Sequence, residues 1–365
     1  METKIQTALA DLSHREILQL DRDYATAAKV ARLRYVSDSL KGIMRKRRGK
    51  GFAYFLGDEL LKDDNALQRI RKLAIPPAWQ KVWICPYENG HIQATGIDVR
   101  GRKQYKYHTG WSALRNETKF HRLYEFGKSL PALRLVVEKD LSARSLSQRR
   151  VLATIVSLME RTYIRVGNED YNKLYGSYGI TTLRDNHVEV KGKALKFSFT
   201  GKRGIKHTVT LNNRRLARIV QQCKDIPGKE LFQYLDDDGT RCTVDSGMVN
   251  DYIKEASGGD FTAKDFRTWA GTLNILRSFR AIGDALTNNE VKKNIVRALD
   301  EVSVKLGNTR TVCRKYYVHP GVIELYEQNN LSRYLKELDN IEEPDMKADL
   351  TSDEKVLMRV LRALH

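Results

Sequence analysis

The chain has 365 residues, 41% of them hydrophobic, and a formal net charge of +19 at pH 7. That length suffices for two domains with separate cores, and so large a positive excess repels itself unless a polyanion, nucleic acid first of all, is the working partner. No apolar run of about 18 residues is present, and Met1-Glu2-Thr3-Lys4-Ile5 lacks the basic-then-apolar order of a signal peptide, so no membrane association is expected and a cytoplasmic, nucleoid-associated location is.

Residues 1–50 read as a basic, partly flexible arm that ends in Arg45-Lys46-Arg47-Arg48-Gly49-Lys50. Residues 51–115 read as a small, mostly β domain. Short apolar runs such as Val82-Trp83-Ile84-Cys85 alternate there with turn-like pieces such as Tyr87-Glu88-Asn89-Gly90. Ile75-Pro76-Pro77-Ala78-Trp79 cannot continue a helix. Gly96 through Tyr107 is a turn followed by a basic strand laced with aromatics. Arg100, Arg102 and Lys103 suit phosphates, while Gln104, Tyr105 and Tyr107 can meet bases or sugars. A plain edge strand protected by charge is the competing account. Trp111 to Asn116 reads as a linker, and a protein that opens around DNA predicts a flexible joint near residues 111–118.

Residues 116–365 read as a mostly helical catalytic domain. Leu152, Ile155, Met159 and Tyr163 recur at helical spacing and deliver Arg165 at the helix end. A β insert follows. Leu195, Phe197 and Phe199 alternate with polar residues, as do Ile205, His207, Val209 and Leu211. Between them Gly201-Lys202-Arg203-Gly204 forms a hairpin tip, with glycines that allow close approach to a bound backbone. Helical patterning then runs from Leu216 to the end, and the stretch from Leu350 to Leu364 could pack on the core or dock elsewhere. The fold class expected is α+β: a small, mostly β amino-terminal domain and a larger helical catalytic domain with a β-hairpin insert.

The carboxyl-terminal third carries Leu306-Gly307-Asn308-Thr309, then Tyr316-Tyr317-Val318-His319-Pro320. A tyrosine with several fixed cations is what covalent attack on a phosphodiester needs. The hydroxyl is the nucleophile, and Arg165, Lys202 and Arg267 neutralise the pentacoordinate phosphorus. Each residue has an ordinary alternative. A tip lysine is usually solvated, Arg267 could pair with Asp265, Arg165 could pair with Glu169 or Asp170, and tyrosines mostly pack. Cys85, Cys223, Cys242 and Cys313 are scattered singly, the histidines lack ligand spacing, and no Walker A motif is present. Neither a metal nor a cofactor is expected.

As an ordered set these residues resemble the type IB DNA topoisomerases, in the short form of bacteria and poxviruses. The resemblance runs from about Leu33 to about Leu325. It rests on Gly96 through Tyr107, Ile164-Arg165-Val166-Gly167-Asn168, Phe199-Thr200-Gly201-Lys202, Lys264-Asp265-Phe266-Arg267-Thr268 and the two carboxyl-terminal segments quoted above. It implies that Arg165, Lys202, Arg267, Asn308 and Tyr317 are the catalytic residues, that Lys264 contacts DNA, and that a monomer relaxes supercoils without ATP. It also implies a 3′-phosphotyrosine and a free 5′-hydroxyl. Eukaryotic and poxvirus members carry His where this chain has Asn308, and bacterial members are similar to it in having Asn. An amide there leaves hydrogen bonding rather than proton transfer. The spacing of nine from Asn308 favours Tyr317 over Tyr316.

Two other readings compete. A tyrosine site-specific recombinase shares the Arg, hairpin Lys, Arg and Tyr logic, but usually has His where Lys264 stands and a helical amino-terminal domain. A non-catalytic DNA-binding protein explains the charge but not the ordered catalytic set.

Overall fold

Six short segments of the amino-terminal third pair into one antiparallel sheet in the computed structural model, which describes residues 7–9, 11–49, 51–99, 101–169, 172, 176–336 and 348–364. The strands are β1 (Ile43–Arg48), β2 (Gly51–Leu56), β3 (Glu59–Leu60), β4 (Gln80–Ile84), β5 (Ile92–Ile97) and β6 (Lys103–Tyr107), in the order β3-β2-β1-β4-β5-β6. They belong to a first compact unit, Met1–Arg122; the second is Leu123–His365. Ile43, Val82, Ile84 and Ala94 from the sheet pack on Ile70 of the helix Asp64–Lys72.

The basic run expected to be a solvated arm is strand β1, paired with β2 from Ile43↔Leu56 to Arg48↔Gly51. Arg45 explains how so cationic a segment can be a strand. Its guanidinium donates to the carbonyls of Pro76 (3.1 Å) and Trp79 (2.6 Å) and lies 4.1 Å from the Phe52 ring centroid, so its stem covers the sheet while its charge stays hydrogen-bonded. Two short helices, α1 (His14–Leu20) and α2 (Tyr24–Val30), also lie within the supposed arm. The flexible joint expected at residues 111–118 is likewise replaced by a helix, Thr109–Leu141. Trp111 and Leu114, three residues apart, are buried against Ile17, Leu20, Ala27 and Ala28, and that packing orders the segment.

In the second unit the stretch 151–159 of the helix Gln148–Thr162 is buried on every side and sits inside the core, with Val151, Ile155, Val156 and Leu158 fully buried. Around it lie the three-stranded antiparallel sheet β7 (Val188–Lys191), β8 (Ala194–Thr200) and β9 (Lys206–Asn212), and the helices Ala263–Ile282 and Asn288–Leu306. The last helix, Ser352–Ala363, packs on this core through Val356, Leu357, Val360 and Leu361. Among the described residues no helix is long and apolar enough to cross a membrane.

A buried ion pair pins that last helix. The Arg134 guanidinium meets Glu354 at 2.7 and 3.0 Å and Glu160 at 2.8 Å, and Trp269 Nε1 donates to Glu354 at 3.1 Å. Burial pushes the Glu354 carboxyl up, but Arg134 outweighs it, and the group titrates below the ordinary 4.5. A depressed folded-state value contributes stability above the unfolded value, which is lost as pH falls through the folded one. Urea unfolding should therefore show Glu354→Gln costing about 3 kcal/mol near neutral pH. The variant's stability should also fall less steeply than the wild type's below pH 4.5.

Candidate active site

The helix Gln148–Thr162 ends at Tyr163, a non-glycine residue in the left-handed region (φ 57°). This costly conformation turns the chain sharply, exposes the Tyr163 carbonyl and carries Arg165 away from the helix axis. Backbone hydrogen bonds from Ile180 to the Arg165 carbonyl and from Thr181 to Val166, both 2.8 Å, hold the departing segment. Arg165 then donates through Nη2 to the Gly307 carbonyl (3.1 Å) and to Asn308 Oδ1 (2.5 Å).

Arg267 arrives from the helix Ala263–Ile282. Asp265, its suspected partner, is occupied elsewhere: its carboxylate accepts from the Thr262 N–H (2.8 Å) and hydroxyl (3.0 Å), capping the helix. Only 6% exposed, Arg267 donates to the Tyr163 carbonyl through Nη1 and to the Leu306 carbonyl through Nη2 (2.8 Å). Its Nε has no acceptor among the described residues. Leu306 and Gly307 close the helix Asn288–Leu306, with Gly307 left-handed at φ 57°. Carbonyls at a helix's carboxyl end lack intrahelical donors and carry partial negative charge. Both arginines are thus held by one helix terminus. Burial, then the neighbouring Arg267, pushes Arg165 down to about 10, so it remains charged at neutral pH.

Tyr317 follows the helix Arg310–Tyr316, and its N–H donates to the Cys313 carbonyl (3.0 Å). The Arg267 Cζ lies 5.0 Å from the Tyr317 ring centroid, and Tyr317 is near enough to Arg165 to oppose part of its downward shift. Two residues of the helix Ala263–Ile282 fix this backbone. Thr272 Oγ1 shares its proton between the Thr268 carbonyl (3.0 Å) and the Tyr317 carbonyl (3.3 Å) and accepts from the His319 N–H (3.1 Å). Gly271 lies so near that an added Cβ would sit 2.3 Å from the Tyr317 carbonyl oxygen. Tyr316, by contrast, is 38% exposed, with Lys315 over its ring at 5.8 Å.

Asn308, Arg165, Arg267 and Tyr317 are therefore gathered into one cluster. Because Arg165 only donates, the Asn308 amide must turn Oδ1 to it and Nδ2 away, where Nδ2 has one long contact with Leu306 (3.4 Å). Lys202 stands exposed on the turn between β8 and β9. Lys264, also exposed, is in the first turn of its helix. In the first unit Arg102 and Gln104 both donate to Asp98 (2.9 Å each), and Lys103 meets Asp38 at 2.6 Å. Tyr105 and Tyr107 stack in parallel, 5.8 Å apart, on the exposed face of β6. Arg100 lies outside the described residues.

The sequence reading missed His207, Gly271 and Thr272. His207 was visible only as one member of the alternation in β9, and nothing in the local pattern marked the other two. His207 lies against Gly307, where an added Cβ would be 2.1 Å from its Cε1, and burial followed by Arg165 and Arg267 lowers its pKa. Burial pushes Cys313 up to about 11, against the pull of both arginines. Among the described residues no group of three or more His, Cys, Asp or Glu is gathered to hold a metal.

Residues 108–343 match the family described as the catalytic core of eukaryotic DNA topoisomerase I, and residues 51–98 match the amino-terminal domain of bacterial DNA topoisomerase IB. The DNA topoisomerase 1B of Acanthamoeba polyphaga mimivirus is 34% identical over 300 residues, covering 80% of this chain and 89% of the viral one. That of Vaccinia virus (strain Copenhagen) is 23% identical over 282 residues, covering 74% and 85%. The DNA topoisomerase 1 of Daucus carota is 28% identical over 210 residues, covering 55% of this chain and 25% of its own.

Gly271→Ala tests the seating of Tyr317. The new methyl must displace a backbone carbonyl, and a misplacement of about 1 Å near reacting atoms costs on the order of a hundredfold in rate. Relaxation of supercoiled plasmid should slow by about that factor, while circular dichroism and DNA affinity stay near wild type. An unchanged rate would show that Tyr317 does not depend on this contact.

Proposed function

The chain belongs to the type IB DNA topoisomerase family, and from that premise we propose that it relaxes supercoiled duplex DNA by cutting one strand through a 3′-phosphotyrosine at Tyr317, letting that strand rotate and resealing it, with neither ATP nor a metal ion. The observation that carries this reading is the grouping of Arg165, hydrogen-bonded to Asn308, with Arg267 beside the Tyr317 ring.

In the proposed step the Tyr317 oxygen attacks the scissile phosphorus. The new P–O bond forms as the bond to the 5′ oxygen breaks, and the phenolic proton passes to water. The guanidiniums of Arg165 and Arg267, with Asn308 Nδ2, donate to the nonbridging oxygens where charge gathers. The unpartnered Nε of Arg267 supports this, since a buried donor without an acceptor is costly and a phosphoryl oxygen would satisfy it. The departing 5′ oxygen needs a proton, and Lys202 on its turn is the proposed donor. Attack by the 5′-hydroxyl on the phosphotyrosine reverses each transfer, so the ester energy is kept and supercoiling strain alone drives net relaxation.

Binding is proposed to be mainly electrostatic, by a monomer acting on nucleoid DNA in the cytoplasm, with Lys264 among the phosphate contacts. In the first unit Arg102, Lys103 and Gln104 are paired with Asp98 and Asp38 at partly exposed positions, where such pairs are worth little and can be exchanged for phosphate. Tyr105 and Tyr107 offer a stacked apolar face beside them.

The deciding measurement is relaxation of negatively supercoiled plasmid in EDTA without ATP. The wild type should relax it. Tyr317→Phe should bind DNA normally and relax nothing, and Tyr316→Phe should stay active. Failure of the wild type at every salt concentration would overturn the reading in favour of recombination or binding alone. Tyr105→Ala combined with Tyr107→Ala should weaken duplex binding by about tenfold with little change in the salt slope, because neither side chain neutralises a phosphate. Fluorescence anisotropy over a salt series reads both quantities.

A further inference from the structure

His207 occupies a position that the catalytic reading leaves unused. It sits in β9 opposite Phe199 of β8, and the two rings stack at 5.0 Å and 9°. On one side of the imidazole is Gly201, where an added Cβ would lie 2.6 Å from Cδ2 and Nε2. On the other is Gly307, where it would lie 2.1 Å from Cε1. One ring therefore fills the space between two glycines. The first immediately precedes Lys202, and the second immediately precedes Asn308 and gives its carbonyl to Arg165.

The connection between ring and lysine is short and stiff. Gly201 N–H donates to the Ile205 carbonyl (2.7 Å) and Gly204 N–H to the Gly201 carbonyl (3.1 Å), closing a tight turn in which Arg203 and Gly204 both have positive φ. A displacement of His207 must carry Gly201 and the start of that turn with it.

We propose that His207 is a positioning residue: its ring is the spacer that sets the hairpin bearing Lys202 against the Gly307-Asn308 turn, and so aims the lysine at the departing 5′ oxygen. The proposal rests on the reading of Lys202 as proton donor. An imidazole suits the place because burial and both arginines favour its uncharged form, which adds no third cation to the pair. A lysine or arginine there would repel Arg165 and Arg267, and a small side chain would leave the two glycines with nothing between them.

The test uses the full-length chain and a duplex whose cleavage site has first been mapped with the wild type. Two versions of the duplex carry oxygen or sulfur at the bridging 5′ position of the scissile phosphate. The sulfur leaves as a thiolate and needs no proton. Covalent-complex formation is timed in a single turnover on each. His207→Ala should slow cleavage of the oxygen duplex by about tenfold to a hundredfold, the scale of a misaimed general acid, and should be restored nearly to wild type on the sulfur duplex. His207→Phe, which keeps a flat ring between the glycines, should cut the oxygen duplex at close to the wild-type rate. Equal slowing of His207→Ala on both duplexes would overturn the proposal, as would a His207→Phe rate no better than that of His207→Ala. If His207→Ala does not fold, His207→Asn, which shortens the spacer, is measured on the same pair with the same criteria. Lys202→Ala separates the two levels of inference. Rescue of Lys202→Ala by sulfur without rescue of the His207 variant sinks only the role of His207. Failure of sulfur to rescue Lys202→Ala removes the proton-donor premise and the proposal with it.

Discussion

Two guanidinium ions share the carboxyl end of one helix, and the rest of the candidate site is arranged around that fact. Arg165 and Arg267 are like charges in a part-buried space, which by itself drives them apart. The terminal carbonyls of Asn288–Leu306 supply the opposing field: Leu306 accepts from Arg267 and Gly307 from Arg165. The Tyr163 carbonyl, freed by a left-handed residue, takes a further Arg267 donor. None of these acceptors is a carboxylate. A carboxylate would neutralise the cations and compete with a phosphate for them, whereas carbonyls orient the guanidiniums and leave their charge available.

The site also depends on backbones approaching more closely than side chains allow. Gly271 lets the helix Ala263–Ile282 touch the Tyr317 carbonyl, and Thr272 beside it holds the chain just after the tyrosine. Gly307 serves twice, as the left-handed residue that ends a helix and as the flat surface that receives His207. Arginines, tyrosine and hairpin are thus joined through main chain, which has fewer conformations than side-chain contacts would leave. A site meant to hold charge as it develops gains from such prior order.

The first unit handles its charge differently. Asp98 and Asp38 hold Arg102, Gln104 and Lys103 on the exposed edge strand, which keeps the long side chains ordered at little cost in energy. Charge on that edge also discourages strand-to-strand association. With a chain net charge of +19, carboxylates that pair locally ease the self-repulsion that the folded chain must bear.

The sequence by itself determined the class of fold, the hairpin with Lys202 at its tip and the four residues that meet at the site. Periodicity of two or 3.6 and the order of a few polar residues are properties of short stretches of chain. It misread Arg45 to Arg48 as an arm and Trp111 to Asn116 as a joint, because what orders those stretches is a pairing with β2 and a contact with Ile17 and Leu20, both distant in sequence. It offered Asp265 as a partner for Arg267, because a neighbour in sequence is the only candidate a linear reading can see. Tertiary structure alone decided that Asp265 caps its helix, that Arg267 reaches Tyr163 and Leu306, and that Gly271, Thr272 and His207 support the site. Those contacts arise where segments far apart in the chain are brought together by burial of the core, and no local pattern encodes where they will meet.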